Sequence, residues 1–143
     1  MLTVGDELTP IEINEVLAED VLEWSSILND PNPIHLDPKA SAANGLGNRT
    51  VNQGPANLGA IINLIVSNFP DGMIEVIDVK FVGNVFSGDS LRASGRITDV
   101  NRDRDCSRIR CAVELRAGNR IALTGQVEIR LPGQPQSYRC SDE

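Results

Sequence analysis

The sequence predicts an α+β fold in which an antiparallel β-sheet wraps around one central, buried α-helix. Three observations carry that expectation. Residues 53–69 form a helix-length segment that is apolar nearly all round, as a helix enclosed by protein is. From Ile77 onward the chain alternates apolar and polar residues, with turn signals between the runs, the mark of antiparallel strands with one dry and one wet face. The 143 residues, 41% of them hydrophobic, are of single-domain length and long enough for one core. A plain α+β sandwich would meet the same pattern.

Taken in order, Leu8 to Val16 sets Leu8, Ile11, Ile13 and Val16 among polar residues and is expected to be a first strand. From Ala18 to Leu28, Val21, Leu22, Trp24, Ile27 and Leu28 fall at helical spacing, with Glu19 and Asp20 early, where the helix dipole favours acids. Trp24 is expected in the core. Asp37 and Pro38 read as the N-cap and first residue of a short helix that runs through Ala43 and ends at Asn44 and Gly45. The apolar helix then opens on Gly54 and Pro55, proline being favoured in a first turn because its missing N–H would be an orphan there.

Four strands follow. Ile77, Val79 and Phe81 alternate with Asp78 and Lys80, and Leu91, Ala93, Gly95 and Ile97 with arginine, serine and threonine. Ile109, Cys111, Val113 and Leu115 mark the third run, and Ile121, Leu123, Val127 and Ile129 the fourth. Ser87-Gly88-Asp89, Asn101 to Asp105 and Gly118-Asn119 supply the turns.

Composition narrows the function. A net charge of -7 and a pI near 4.7 argue against a nucleic-acid surface, which is normally basic. No run approaches the ~20 apolar residues of a membrane span, and the N-terminus lacks the basic and apolar regions of a signal peptide, so a soluble, cytoplasmic protein is expected. Cys106, Cys111 and Cys140 make an odd count without metal-ligand spacing, which predicts free thiols in a reducing compartment. Residues 133–143, GQPQSYRCSDE, read as a loose tail after a domain spanning 1–132.

The chemistry gathers in Trp24 to Ser41, WSSILNDPNPIHLDPKAS, which holds the only histidine in the chain. His35 stands five residues after Asp30, and Pro31 and Pro33 restrict the backbone between them. A fixed acid and imidazole suit proton transfer near neutral pH. The plainer use of DPNP is a helix-ending turn beside an incidental histidine. At Gly54 the free N–H groups of a helix start point outward, where the dipole carries roughly half a positive charge, a ready site for a developing oxyanion.

This stretch resembles the signature of the MaoC-like, or hydratase 2, family in Trp24, Asp30, Asn32, Pro33, Ile34, His35 and the small Ser41. Leu28 and Asn29 replace the family's small residue and glycine, and Asn tolerates the backbone angles glycine supplies. The stretch FVGNVFSGDSL resembles a second family segment, with Asn84 in place of proline. The resemblance runs from Val4 to Pro132 and implies the hot-dog fold. It also implies reversible syn hydration of a trans-2-enoyl thioester, on coenzyme A or a carrier protein, to a (3R)-3-hydroxyacyl thioester, without metal or redox cofactor. Asp30 and His35 would activate the water, Asn32 and Pro33 hold the loop, and the Gly54 N–H meet the thioester oxygen.

Relatives commonly read Ala-His-Gly-Met at the helix start, with a small side chain five residues after the glycine. Here those positions are Asn52, Gln53, Gly54, Pro55 and Gly59. Gln53 and Asn57 bring amides near the expected pocket, which suggests an acyl chain bearing oxygen. Open sheet edges and the family's placement of the thioester arm at a subunit interface predict a homodimer. Two alternatives stay open: a non-catalytic subunit that binds acyl thioesters, and a hot-dog thioesterase. Arg92, Arg96, Arg108, Arg110, Arg116, Arg120 and Arg130, on the wet face, could draw the phosphates of the arm. Pairing across strands with Glu114 and Glu128 is their expected use.

Overall fold

Alternation in the second half of the chain becomes a five-stranded antiparallel sheet in the computed structural model, which describes residues 1–133. The elements are β1 (Ile11–Ile13), α1 (Ala18–Ile27), a single 3-10 turn (Pro33–His35), α2 (Pro38–Ala43), α3 (Gly54–Asn68), β2 (Met73–Phe81), β3 (Leu91–Arg102), β4 (Cys106–Ala117) and β5 (Arg120–Pro132). Strand order is β1-β3-β4-β5-β2, so β2, although first of the long strands in sequence, forms one edge. The expected tail lies outside the described residues from 134 onward, and Cys140 with it.

The inward residues of β3, β4 and β5 (Leu91, Ala93, Ile97, Ile109, Cys111, Val113, Leu115, Leu123, Val127 and Ile129) are all buried and meet Ala60, Ile61, Leu64 and Ile65 of α3. Burying a side chain of this size contributes about 1.5–3 kcal/mol, so the helix–sheet contact is the main source of stability. The sheet covers one side of α3. On the other, Pro55 and Val66 are exposed and Gly59 and Ile62 partly so; positions spaced by four, three and four share one helix face. Among the described residues no helix is long and apolar enough to cross a membrane.

Three elements differ from the sequence expectation. The first strand shrinks to Ile11–Ile13, although Leu8 and Val16 are buried as expected. Pro10 has no N–H to give, and the polar backbone of Thr9 is taken up by a side chain: Asn68, at the end of α3, accepts from the Thr9 N–H at 2.8 Å and donates to its carbonyl at 2.9 Å. Strand β2 begins at Met73, four residues before the visible alternation, because a register shift against β5 between Ile74 and Val76 breaks the period of two. In α1 the buried residues are Val21 and Ser25, whereas Trp24 is partly exposed.

The arginines mostly pair. Arg110 reaches Glu128 across strands at 2.7 Å, Arg116 takes Glu114 two residues away on its own strand, and Arg92 pairs with Glu12. Arg108 and Arg130 share Glu75, at 3.3 and 2.9 Å. Cys106 and Cys111 are free, and burial pushes the Cys111 thiol up to about 11.

Candidate active site

Asp30 is placed by the way α1 stops. Asn29 adopts φ 50°, the left-handed conformation; its N–H then reaches the Ser26 carbonyl at 3.2 Å and the Asp30 N–H the Ser25 carbonyl at 2.9 Å. This is the two-bond closure of a Schellman motif, with asparagine doing glycine's work. Past it, the Asn32 carboxamide oxygen accepts from the Ile34 N–H at 3.3 Å, and Pro33 opens the 3-10 turn that presents His35. The Asp30 carboxylate accepts from the Asn32 N–H at 3.2 Å through Oδ1, leaving Oδ2 to face the imidazole. Asn32 and Pro33 thus shape the loop through local bonds.

His35 Nε2 lies 3.2 Å from Asp30 Oδ2, with side-chain exposures of 9% and 39%. On its far side, Nδ1–H donates to the Val51 carbonyl at 2.6 Å. A neutral ring that donates from Nδ1 carries a lone pair on Nε2, and a lone pair facing a carboxylate oxygen needs a proton between them. Of the two side chains the acid is the more exposed.

Val51 is itself held from both sides. Its N–H donates to the Ile34 carbonyl at 3.0 Å, and the strap around it bonds to the loop after β2, Asn52 N–H to Val85 O at 2.8 Å and Ser87 N–H to Thr50 O at 2.9 Å. Three residues further, α3 starts. Gln53 precedes it in extended conformation with no side-chain cap. The N–H groups of Gly54 and Ala56 are consequently left without intrahelical partners, and the first helical bond is Asn57 N–H to Gln53 O at 3.1 Å. A Cβ on Gly54 would stand 3.4 Å from the Phe81 ring.

The two amides expected near the pocket are both buried. Gln53 is 2% exposed and spends its NH₂ on α1, donating to Val21 O at 2.9 Å and Ser25 Oγ at 2.8 Å; its Oε1 is buried without a partner among the described residues. Asn57 is 3% exposed and accepts from Asn52 Nδ2 at 2.8 Å. Gln53 is thereby a tie between α1, which carries Asp30, and the start of α3.

Two clefts flank the pair. His35 lines one of about 320 Å³ with Ala18, Leu22, Leu36, Pro38, Arg49 and Thr50. Asp30 lines another of about 300 Å³, sharing Leu22 and Leu36 with the first. Sequence reasoning missed Val51, whose role is carried by its backbone, and Arg49, which lies outside the motif. Leu22, 55% exposed on α1, was legible only as a helix-face residue.

A helix clasped by an antiparallel sheet defines a hot-dog protein, and the acid–imidazole pair stands in the loop that follows α1. The chain belongs to the MaoC like domain family, which matches residues 4–118. It is similar to a 3-hydroxybutyryl-CoA dehydratase of Methylorubrum extorquens, at 25% identity over 138 residues, covering 95% of this chain and 85% of that one. Among solved structures, R-hydratase PhaJ1 from Pseudomonas aeruginosa superposes with a TM-score of 0.79 at 20% identity, covering 93% and 84% of the two chains. The (R)-hydratase from A. caviae gives 0.77 at 23% identity, covering 92% and 98%. The ChsH1-ChsH2 complex from Mycobacterium tuberculosis gives 0.80 at 20%, covering 92% and 99%.

Proposed function

We propose that this protein is a hydro-lyase that adds water reversibly and syn to a trans-2-enoyl thioester, giving the (3R)-3-hydroxyacyl thioester. The observation that carries the reading is the Asp30–His35 pair, 3.2 Å apart, with the imidazole fixed by Val51. Family membership and the similarity to a dehydratase support it. A water held by the pair gives up a proton as its oxygen bonds to C3. The C2=C3 π electrons move toward the thioester carbonyl, and C2 then takes a proton from the pair, so that OH and H are added and the pair returns to its starting state. General acid–base help of this kind is worth ~10² to 10⁴ in rate. The Gly54 N–H receives the charge that develops on the thioester oxygen, a further ~10² or more for one donor.

The active unit is a homodimer. Among the described residues the outer face of α3 is open, β2 is an edge strand without a second partner, and Phe81 and Val82 there are 53% and 55% exposed. Such an edge is an invitation to pair. Light scattering should give twice the 15.5 kDa chain mass at micromolar concentration, and a persistent monomer would remove this part of the reading.

The deciding assay incubates the protein with crotonyl-CoA and longer enoyl thioesters, following loss of the conjugated chromophore and release of free thiol. Chromophore loss without thiol is the expected result. Thiol release would make the protein a thioesterase. Inertness across the series, with binding retained, would make it a non-catalytic thioester-binding subunit.

A further inference from the structure

Seven arginines were candidates for a phosphate site from sequence, and the sheet assigns most of them to carboxylates. Arg120 behaves differently, because it meets an arginine from elsewhere in the chain. Asp89, its side chain 10% exposed, accepts from Arg49 Nη1 on Oδ1 at 2.8 Å and from Arg120 Nη2 on Oδ2 at 2.7 Å. Its Oδ2 also accepts from the Phe86 N–H at 2.9 Å. The two guanidiniums stand over the Phe86 ring, 5.0 and 5.2 Å from its centroid. Burial works to raise the Asp89 carboxyl, but the Phe86, Arg49 and Arg120 hydrogen bonds outweigh it and hold the group below the usual range. Two cations therefore share one carboxylate, and the cluster keeps a surplus positive charge on a chain whose net charge is -7.

Arg49 makes its protein bonds among the described residues through Nη1, to Asp89 and to the Ser87 carbonyl at 3.2 Å. That leaves the Nε and Nη2 edge open, the two-pronged edge that grips a phosphate or carboxylate. The group is also held in place by the ring beneath it, so little freedom is lost when a ligand arrives. Among the described residues Arg49 is the one arginine or lysine lining the His35 cleft, where Glu19 is the one acid, and the Arg49 side chain is 49% exposed. Arg49 thus stands toward solvent and the buried His35 toward the interior of the same cleft.

We propose that Arg49, backed by Arg120 and Phe86, binds the phosphate of a pantetheine arm as the thioester enters the His35 cleft. The inference rests on the thioester reading given above. Coenzyme A and a phosphopantetheinylated carrier protein both supply this chemistry.

The test compares crotonyl thioesters of coenzyme A, of a phosphopantetheinylated carrier and of phosphate-free pantetheine, with wild type, Arg49→Gln and Arg49→Lys. Arg49→Gln should raise KM tenfold or more on a phosphate-bearing arm, leaving kcat within twofold, and should change kcat/KM for pantetheine by less than twofold. Arg49→Lys keeps the charge without the fork and should fall between. Dependence on coenzyme A alone, or on the carrier alone, identifies the source of the phosphate.

Urea midpoints for each variant separate loss of fold from loss of binding. Calorimetric titration with coenzyme A and with pantetheine, neither of which is acylated, reads the site without turnover. Equal losses on all three arms would reduce the cluster to a structural staple and overturn the proposal. If no thioester is turned over but coenzyme A still binds more tightly than pantetheine in an Arg49-dependent way, the hydro-lyase reading fails and the phosphate site stands.

Discussion

Replacing Gly54 by alanine separates chemistry from folding at the start of α3. Gly54 is a helical residue outside the left-handed region, so an added Cβ meets no backbone strain. The nearest atoms it would touch are Phe81 Cε1 at 3.4 Å, Cζ at 3.5 Å and Cδ1 at 3.8 Å, which is ordinary van der Waals contact. Alanine is better than glycine within a helix by about 1 kcal/mol, and by less in a first turn. The fold should thus be as stable as before, or more stable by a few tenths of a kcal/mol. Activity should move the other way. If the thioester oxygen approaches the Gly54 N–H across this bare Cα, a methyl group keeps it out of reach, and losing one oxyanion donor costs about 2.7–4 kcal/mol of barrier. Partial displacement should still lower turnover at least tenfold, about 1.4 kcal/mol. Urea unfolding measured beside turnover decides the matter: an unchanged or higher midpoint with the rate down tenfold is expected. Normal turnover per folded molecule would remove Gly54 from the mechanism.

Asp30→Asn and His35→Ala should each abolish nearly all turnover on a genuine substrate while the chain still folds, His35→Ala costing about 1–3 kcal/mol of stability because the buried Val51 carbonyl loses its donor, and the double variant should match the singles in rate, since groups acting as one unit lose most of their effect when either goes; steady-state rates and urea midpoints of the three proteins check this. Asn29→Gly should leave rate and midpoint close to wild type, whereas Asn29→Val, forced into φ 50°, should cost about 1–2 kcal/mol and lower turnover as the Asp30 N–H loses Ser25; urea melts and rates will show whether the left-handed residue matters. Cys111, raised by burial from 9.0 to about 11, keeps its proton in the folded chain where the unfolded chain has lost it. Stability linked to it is complete below pH 9 and is lost as pH rises toward 11; midpoints at pH 8 and pH 10.5 should differ less in Cys111→Ala than in wild type.

The fold was legible where a single period governs a whole element. Strands β3 to β5 repeat every two residues along most of their length, and α3 is long and apolar. Legibility failed where a local event interrupts the period: the register shift in β2 hides Ile74, and the Asn68 clasp on Thr9 replaces a stretch of β1 pairing with side-chain bonds from 59 residues away. In the site, Asp30 and His35 could be read because proline and asparagine fix the loop by neighbours only a few residues distant. The direction of Gln53 could not, since facing substrate or facing α1 depends on where Val21 and Ser25 lie once the chain is folded. Arg49 was hidden for the same reason: nothing near it in sequence predicts Phe86 or Asp89.

Because the imidazole is oriented by the main-chain carbonyl of Val51, its tautomer depends on a group that every amino acid carries. No codon change at 51 deletes that acceptor; only a change in the path of the strap can. Side chains from Thr50 to Asn52 are thereby released to answer other demands, such as what fills the cleft. A chain built this way can change its side chains along the strap while the wiring of its histidine stays out of reach of substitution.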